Sequence, residues 1–140
     1  GLGDVYKRQV LLEVVEPRSA IWAMADPGAT ARIVRILIDN ALRHGPRTGR
    51  VRVTLDDGPG PQVTVCVHDE GGAIPPEKLP YVFDRLYRVD SSRSQTAGGT
   101  GLGLAIARRI VLRHHGTIAI TSDPQAGTSV TVQLPRDERA

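Results

Sequence analysis

The chain of 140 residues has a single cysteine, few aromatic side chains and no long hydrophobic run. One cysteine, Cys66, excludes an internal disulfide and a metal site of several thiolates, and agrees with a reducing cytoplasm. Aromatic residues make up 4% of the chain and its arginines are spread out, so neither the stacking platform nor the basic stripe of a nucleic-acid-binding domain is visible. No apolar run approaches the roughly 20 residues that span a bilayer, so we expect a domain that is not embedded in a membrane.

What remains is the composition of one ordinary globular domain. Hydrophobic residues make up 40% of the chain and charged residues 24%, with a formal net charge of +3. Residues 1–9 show no periodicity, and we interpret them as a segment outside the domain, such as a sequencing scar. We expect the domain to cover residues 10–135 and a polar tail to cover residues 136–140.

A long amphipathic helix is predicted near the start of the domain. Asp26 followed by Pro27 is typical of a helix start, because the carboxylate caps the helix and proline suits the first helical position. The helix is expected to end at His44. Two short apolar runs before it, residues 10–15 and 21–25, predict neighbouring strands.

Asn40 is the unusual residue of this helix. Helical spacing places it on the apolar face with Ile33, Ile36 and Leu37. A buried amide without a partner costs about 1 to 3 kcal/mol, so Asn40 should bond to protein, water or a ligand. From this helix alone, a bond to a neighbouring strand and a metal ligand both remain open. Arg43, on the flank of the same face, either reaches an anion over Asn40 or is a solvated surface charge.

A carboxylate follows a predicted hairpin. Alternating apolar residues at 51–55 and 63–67 predict two antiparallel strands, and the second runs into Asp69 and a pair of glycines. A carboxylate only accepts hydrogen bonds, so Asp69 suits an amino group on a base such as adenine. The alternative is an aspartate that caps the turn.

A second glycine-rich stretch, residues 98–104, runs into an apolar-periodic segment at 105–112. Glycine lets the main chain approach a ligand, and the free N–H groups at a helix start favour a phosphate. A flexible linker is the alternative. The serine-rich segment before it is predicted to be mobile, and we expect residues 89–101 to be poorly ordered without a ligand.

Together the predicted elements form an α/β (α+β) two-layer sandwich: a mixed, mainly antiparallel sheet covered on one face by helices. The elements not yet named are a short helix over 76–87, the helix over 105–112, and a last hairpin over 118–121 and 128–134.

Four blocks in order resemble the ATP-binding catalytic domain of bacterial sensor histidine kinases, which has the Bergerat fold shared with gyrase B, the heat-shock ninety chaperone and the mismatch-repair ATPase. Any one block is a weak signal, but the ordered set covers most of the chain. The matches are residues 36–44 with the N box, 69–75 with the first glycine box, 82–88 with the F box and 99–106 with the second glycine box. Gly127 and Thr128 resemble the motif that closes the last hairpin.

The resemblance implies a role for each matching residue. Asn40 matches the asparagine that coordinates magnesium bridging the ATP phosphates, and Arg88 an arginine near the transferred phosphoryl group. These two are the implied catalytic residues. Asp69 matches the residue that binds the adenine amino group. The other implied nucleotide contacts are Arg43, His44, Gly71, Ala73, Ile74, Gly99, Thr100, Gly101, Leu102, Gly103 and Leu104, in which the last three glycines match the ATP lid.

Two residues depart from the family pattern. Ile36 stands where the family often carries a first asparagine, which removes one polar contact near the phosphates or metal. Ala73 replaces the second glycine of the first box and adds a methyl group where backbone normally approaches the nucleotide. Neither departure changes Asn40 or Asp69, so we expect weaker nucleotide binding rather than none.

The resemblance implies a protein histidine kinase that binds ATP and Mg²⁺ and donates the γ-phosphoryl group to a histidine on a dimerisation domain outside this chain. The implied partners are that domain and a response regulator. The parent is expected to be a homodimer, and the chain itself cytoplasmic even if its parent is anchored in the inner membrane. Alone, the chain is expected to be inactive. The alternatives are a degenerate nucleotide-binding regulatory module without kinase activity, and a serine kinase of the anti-sigma-factor type.

Overall fold

The computed structural model describes residues 9–15, 17, 20–44, 48–57, 60–70, 74–84 and 103–137. The elements of these residues are, in chain order, β1 (Gln9–Val15), α1 (Pro27–His44), β2 (Thr48–Asp56), β3 (Gln62–Asp69), a 3-10 helix (Pro76–Tyr81), α2 (Gly103–Arg113), β4 (Thr117–Asp123) and β5 (Gly127–Pro135).

The strands form one sheet in the order β1-β2-β3-β5-β4. β1 runs parallel to β2, and the other neighbouring pairs are antiparallel. The two α-helices pack on each other, α1 over β2 and β3 and α2 over β4. Alternate residues of β3 and β5 are buried beneath them, because successive side chains of a strand point to opposite faces. The predicted mixed sheet with helices on one face is therefore confirmed.

The start and the buried stripe of α1 follow the sequence prediction. Asp26 caps the helix, since its Oδ2 accepts a hydrogen bond from the Ala29 N–H at 2.8 Å. Ile33 and Leu37 are buried in the core. Ala41 extends this stripe and is also buried, although the sequence prediction did not include it.

α2 ends in a tight reversal against β5. His115 has a φ of 62°, the left-handed conformation that glycine more often supplies after a helix. Gly116 comes next, and a β-carbon there would collide with the backbone carbonyl of Gln133. Glycine is therefore required at this position by the close approach of β5 and not by a positive φ.

Two predicted elements need correction. Residues 21–25 do not form a strand, because only an isolated bridge joins Ala23 to Arg136. The residue before Arg136, Pro135 at the end of β5, accepts a hydrogen bond from the Met24 N–H at 2.8 Å but has no N–H of its own with which to continue a ladder. The helix predicted over 76–87 is a 3-10 helix as far as Tyr81, and residues 85–87 lie outside the described part of the chain.

β1 extends the sheet beyond the area that the helices cover. Leu12 and Val14 lie in register with the buried Val51 and Val53 of β2, yet they are 51% and 56% exposed. The reason is that α1 packs on β2 and β3. Within the described ranges, neither α-helix combines the length and apolar character needed to cross a bilayer.

Candidate functional site

A row of polar side chains crosses one end of the sheet on the helix-covered face. Asp69 of β3 pairs with Thr128 of β5, which in turn pairs with Ser122 of β4. Residues in register on neighbouring strands point to the same face, so these three side chains lie side by side. Asp69 and Thr128 are buried and Ser122 is half-buried. The rest of this face is largely apolar, so the polar row marks one end of the core.

Asp69 has the most perturbed environment in this row. Its residue is 5% exposed, and Oδ1 is buried without a hydrogen-bond partner among the described residues. Burial raises the pKa of Asp69 from 3.8 to about 6. A buried acceptor left unpaired costs about 1 to 3 kcal/mol, so such a group calls for an explanation outside the fold itself. Oδ1 is therefore free to accept a hydrogen bond from a ligand, while the turn that Asp69 was alternatively predicted to cap, residues 71–73, lies outside the described part of the chain.

Ser122 and Thr128 connect this row to the chain that follows Asp69. The Ile74 N–H donates to Ser122 Oγ at 2.7 Å, and the hydroxyl oxygens of Ser122 and Thr128 are 2.8 Å apart. Of the first-glycine-box residues predicted to contact nucleotide, the structure thus brings Asp69 and Ile74 to the same end of the sheet. Ser122 was not among the predicted site residues. The sequence could have indicated it, because strand alternation places Ser122 on the same inward face of β4 as Ile118 and Ile120. A serine on an otherwise apolar face is the pattern that singles it out.

A second group of predicted residues lies between the helices. Ile36 of α1 contacts the start of α2, since a β-carbon at Gly103 would lie 3.4 Å from Cγ2 of Ile36. Asn40, one turn after Ile36, is half-buried on the same flank. Its amide therefore does not require a partner from the protein. Leu104 is partly buried against the core, so its side chain contributes to packing.

Arg43 is on the surface and forms an ion pair. Its guanidinium is 3.4 Å from Oδ2 of Asp39, one helical turn earlier. An exposed pair of this kind is worth about 0.3 to 0.5 kcal/mol, so the arginine can exchange it for a phosphate at little cost. Its predicted phosphate contact stays a prediction.

Several predicted site residues lie outside the part of the chain that the structure describes. They are Gly71, Ala73, Arg88, Gly99, Thr100, Gly101 and Leu102, together with the side chain of His44 and the whole of the predicted mobile segment 89–101.

The described residues contain no group of three or more His, Cys, Asp or Glu side chains that would hold a metal ion. Magnesium bound with a nucleotide usually keeps several waters and takes one or two protein ligands together with the phosphates. An amide oxygen such as that of Asn40 is the type of ligand that Mg²⁺ accepts, so the donor set fits a metal brought in with phosphates.

The sandwich and its polar end define a fold that is known from the catalytic domains of histidine kinases. The mycobacterial sensor histidine kinase MprB superposes with a TM-score of 0.71 at 28% identity, over 94% of this chain and 83% of that structure.

Residues 25–138 match the family described as histidine kinase-, DNA gyrase B-, and HSP90-like ATPase, and the chain belongs to this family. It is 36% identical to the sensor histidine kinase YkoH of Bacillus subtilis over 95% of the chain. It is 44% identical to the sensor histidine kinase CusS of Escherichia coli over 79% of the chain. The chain spans only 28% and 22% of the lengths of these two relatives.

Proposed function

We propose that the chain is the ATP-binding catalytic domain of a sensor histidine kinase, which binds Mg-ATP and passes the γ-phosphoryl group to a histidine on a dimerisation domain outside the chain. The family match supports ATP as the nucleotide. The sensor kinase relatives support the histidine acceptor, a response regulator as a further partner and a dimeric parent protein.

The observation that carries the proposal is the unpaired Oδ1 of Asp69 in the polar row. An ionised carboxylate only accepts hydrogen bonds, so it selects a donor such as the adenine amino group over the carbonyl oxygen of guanine. Because Asp69 is buried, a missing or wrong partner there leaves an unsatisfied polar group, which is how such sites discriminate strongly. Asp69 therefore provides the base specificity of the site.

The phosphates are proposed to lie between the helices. Asn40 would bind the magnesium ion there, which neutralises phosphate charge, and Arg43 would supply a further positive charge. Phosphoryl transfer depends mainly on positioning and charge neutralisation, so the chain's own task is to orient the nucleotide. The acceptor imidazole forms the new P–N bond as the bond to the ADP oxygen breaks, and the imidazole proton is released.

Calorimetric titration tests the nucleotide-binding part. We expect Mg-AMP-PNP to bind and Mg-GMP-PNP to bind at least tenfold more weakly. Asp69→Asn should lose most of this preference, because an amide donates as well as accepts. The matched control is Glu70→Gln, which removes the exposed carboxylate next to Asp69 and should leave the preference unchanged. Folded protein that gives no heat with millimolar Mg-AMP-PNP contradicts the proposal.

A second assay tests the transfer. A dimerisation domain from a related sensor kinase is supplied with ATP, and phosphohistidine is followed over time. Transfer that requires both proteins supports a histidine kinase. Nucleotide binding without transfer to the domain supports the second candidate function, a nucleotide-binding module without catalysis.

One contact favours that second candidate. Ile36 packs an apolar side chain against the start of α2, where the family often carries an asparagine. If this contact weakens the phosphate site, Ile36→Asn should strengthen Mg-AMP-PNP binding several-fold. The same titration with Ile38→Asn, on a different flank of α1, is the control and should not.

A further inference from the structure

We propose that Ser122 is a positioning residue: it anchors the chain that follows Asp69 across the end of the sheet, and thereby sets the distance between the Asp69 carboxylate and the backbone at Ile74. The ligand that this positioning serves is a purine nucleotide, and this part of the inference rests on the proposed function. The anchor itself belongs to the nucleotide-free chain and can be tested without any ligand.

The first argument is the path of the chain. Asp69 is the last residue of β3, whereas the Ile74 N–H bonds to Ser122 of β4 at 2.7 Å. β5 lies between these two strands, so Ile74 is anchored two strands away from Asp69. Two strand separations amount to about 10 Å, and five residues span at most about 17 Å. The hydrogen bond at Ser122 therefore fixes the position of the Ile74 backbone relative to Asp69.

The second argument is how the Ser122 hydroxyl is used. A serine hydroxyl has one hydrogen and two lone pairs. Here the oxygen accepts from the Ile74 N–H and also bonds to the hydroxyl of Thr128, the in-register neighbour of Asp69. The same side chain thus connects the backbone at Ile74 to the row that holds the carboxylate. An alanine at this position removes both bonds together.

The third argument is the choice of residue. The inward positions of β4 before Ser122 are Ile118 and Ile120, which pack against the core. A strand at this place favours a β-branched apolar residue, and a half-buried hydroxyl is costly unless it is paired. The Ser122 hydroxyl forms hydrogen bonds with Ile74 and Thr128 at the candidate site, and these bonds explain why a polar residue stands here.

Amide hydrogen exchange of the nucleotide-free chain tests the anchor. In Ser122→Ala we expect the Ile74 amide to exchange at least tenfold faster than in the wild type. The matched control is Thr121→Ala, which removes a hydroxyl one residue earlier on the opposite, exposed face and should leave the Ile74 amide protected. Ser122→Cys keeps the volume but accepts hydrogen bonds weakly, and it replaces the alanine variant if that variant does not fold. Equal exchange at Ile74 in wild type and variant overturns the anchor.

Titration with Mg-AMP-PNP and Mg-GMP-PNP tests the positioning role. We expect Ser122→Ala to bind the adenine nucleotide about tenfold more weakly and to lose part of the preference for adenine over guanine, as the loss of one anchoring hydrogen bond implies. Ser122→Thr keeps the hydroxyl and should restore both, which a general loss of stability would not explain. Wild-type chain that binds neither nucleotide refutes the proposed function and the positioning role, while exchange still decides the anchor. Unchanged affinity and preference in Ser122→Ala, in a wild type that binds, overturn the positioning role alone.

Discussion

Replacing Asp69 by asparagine should make the protein more stable at neutral pH while weakening its candidate site. The wild-type carboxylate is buried, and none of the ion pairs among the described residues involves it. An asparagine has nearly the same shape without the charge. The variant therefore isolates the free-energy cost of keeping an unpaired carboxylate in the core.

The pKa of Asp69 sets the size and sign of this effect. In the folded state the pKa is about 6, above the ordinary value of 3.8, so the folded protein holds the proton more tightly. The ionised group therefore destabilises the fold fully above pH 6, and this cost disappears as the pH falls through 6 towards 3.8. At about 1.4 kcal/mol per pKa unit the difference amounts to about 3 kcal/mol. The unpaired hydrogens of the asparagine amide reduce the gain, so we expect about 1 to 3 kcal/mol at pH 8.

Urea denaturation followed by circular dichroism between pH 4.5 and 8 measures this difference. Asp69→Asn should unfold at higher urea than the wild type at pH 8, and the two curves should converge towards pH 4.5. Glu70→Gln changes an exposed carboxylate and should not show this pH-dependent difference. A variant that is less stable than the wild type at pH 8, or a difference independent of pH, would refute the burial argument. A substitution that stabilises the protein while it impairs the site is expected where function requires a buried, unpaired charge.

Three further substitutions test the packing and the metal site. Asn40→Ala should abolish magnesium-dependent AMP-PNP binding in calorimetry without changing the unfolding midpoint; unchanged affinity would remove Asn40 from the site. Leu37→Ala should lower the free energy of unfolding by about 2 to 5 kcal/mol in urea denaturation, because Leu37 is fully buried. Gly116→Ala should cost at least about 2 kcal/mol by the same measurement, since its methyl group meets the β5 backbone. A neutral Gly116→Ala would mean that β5 can move away freely.

Most of the fold was predictable because the patterns that encode it are local. The Asp26-Pro27 start of α1 and its apolar stripe follow from helix capping and a 3.6-residue period, and both are present. The two hairpins follow from a two-residue period and glycine or proline in the turns. The strand wrongly predicted at residues 21–25 shows the limit, because an apolar run cannot reveal that, among the described residues, its backbone pairs with Pro135–Asp137 at the end of β5.

The candidate site divides in the same way. The sequence by itself determined that a carboxylate ends β3 and is followed by glycines, and that Asn40 lies on the inner flank of α1. Whether the Asp69 carboxylate is buried was open, since burial depends on packing partners far away in the chain. Only the tertiary structure shows that Oδ1 is buried and has no hydrogen-bond partner among the described residues.

Ser122 shows why the sequence could not decide the rest. It lies more than fifty residues from Asp69 in the chain, and the sheet brings the two into one row through β5. Alternation along β4 determines only that Ser122 faces inward. Strand order and register determine what it meets there, and both depend on how the whole sheet packs under the helices.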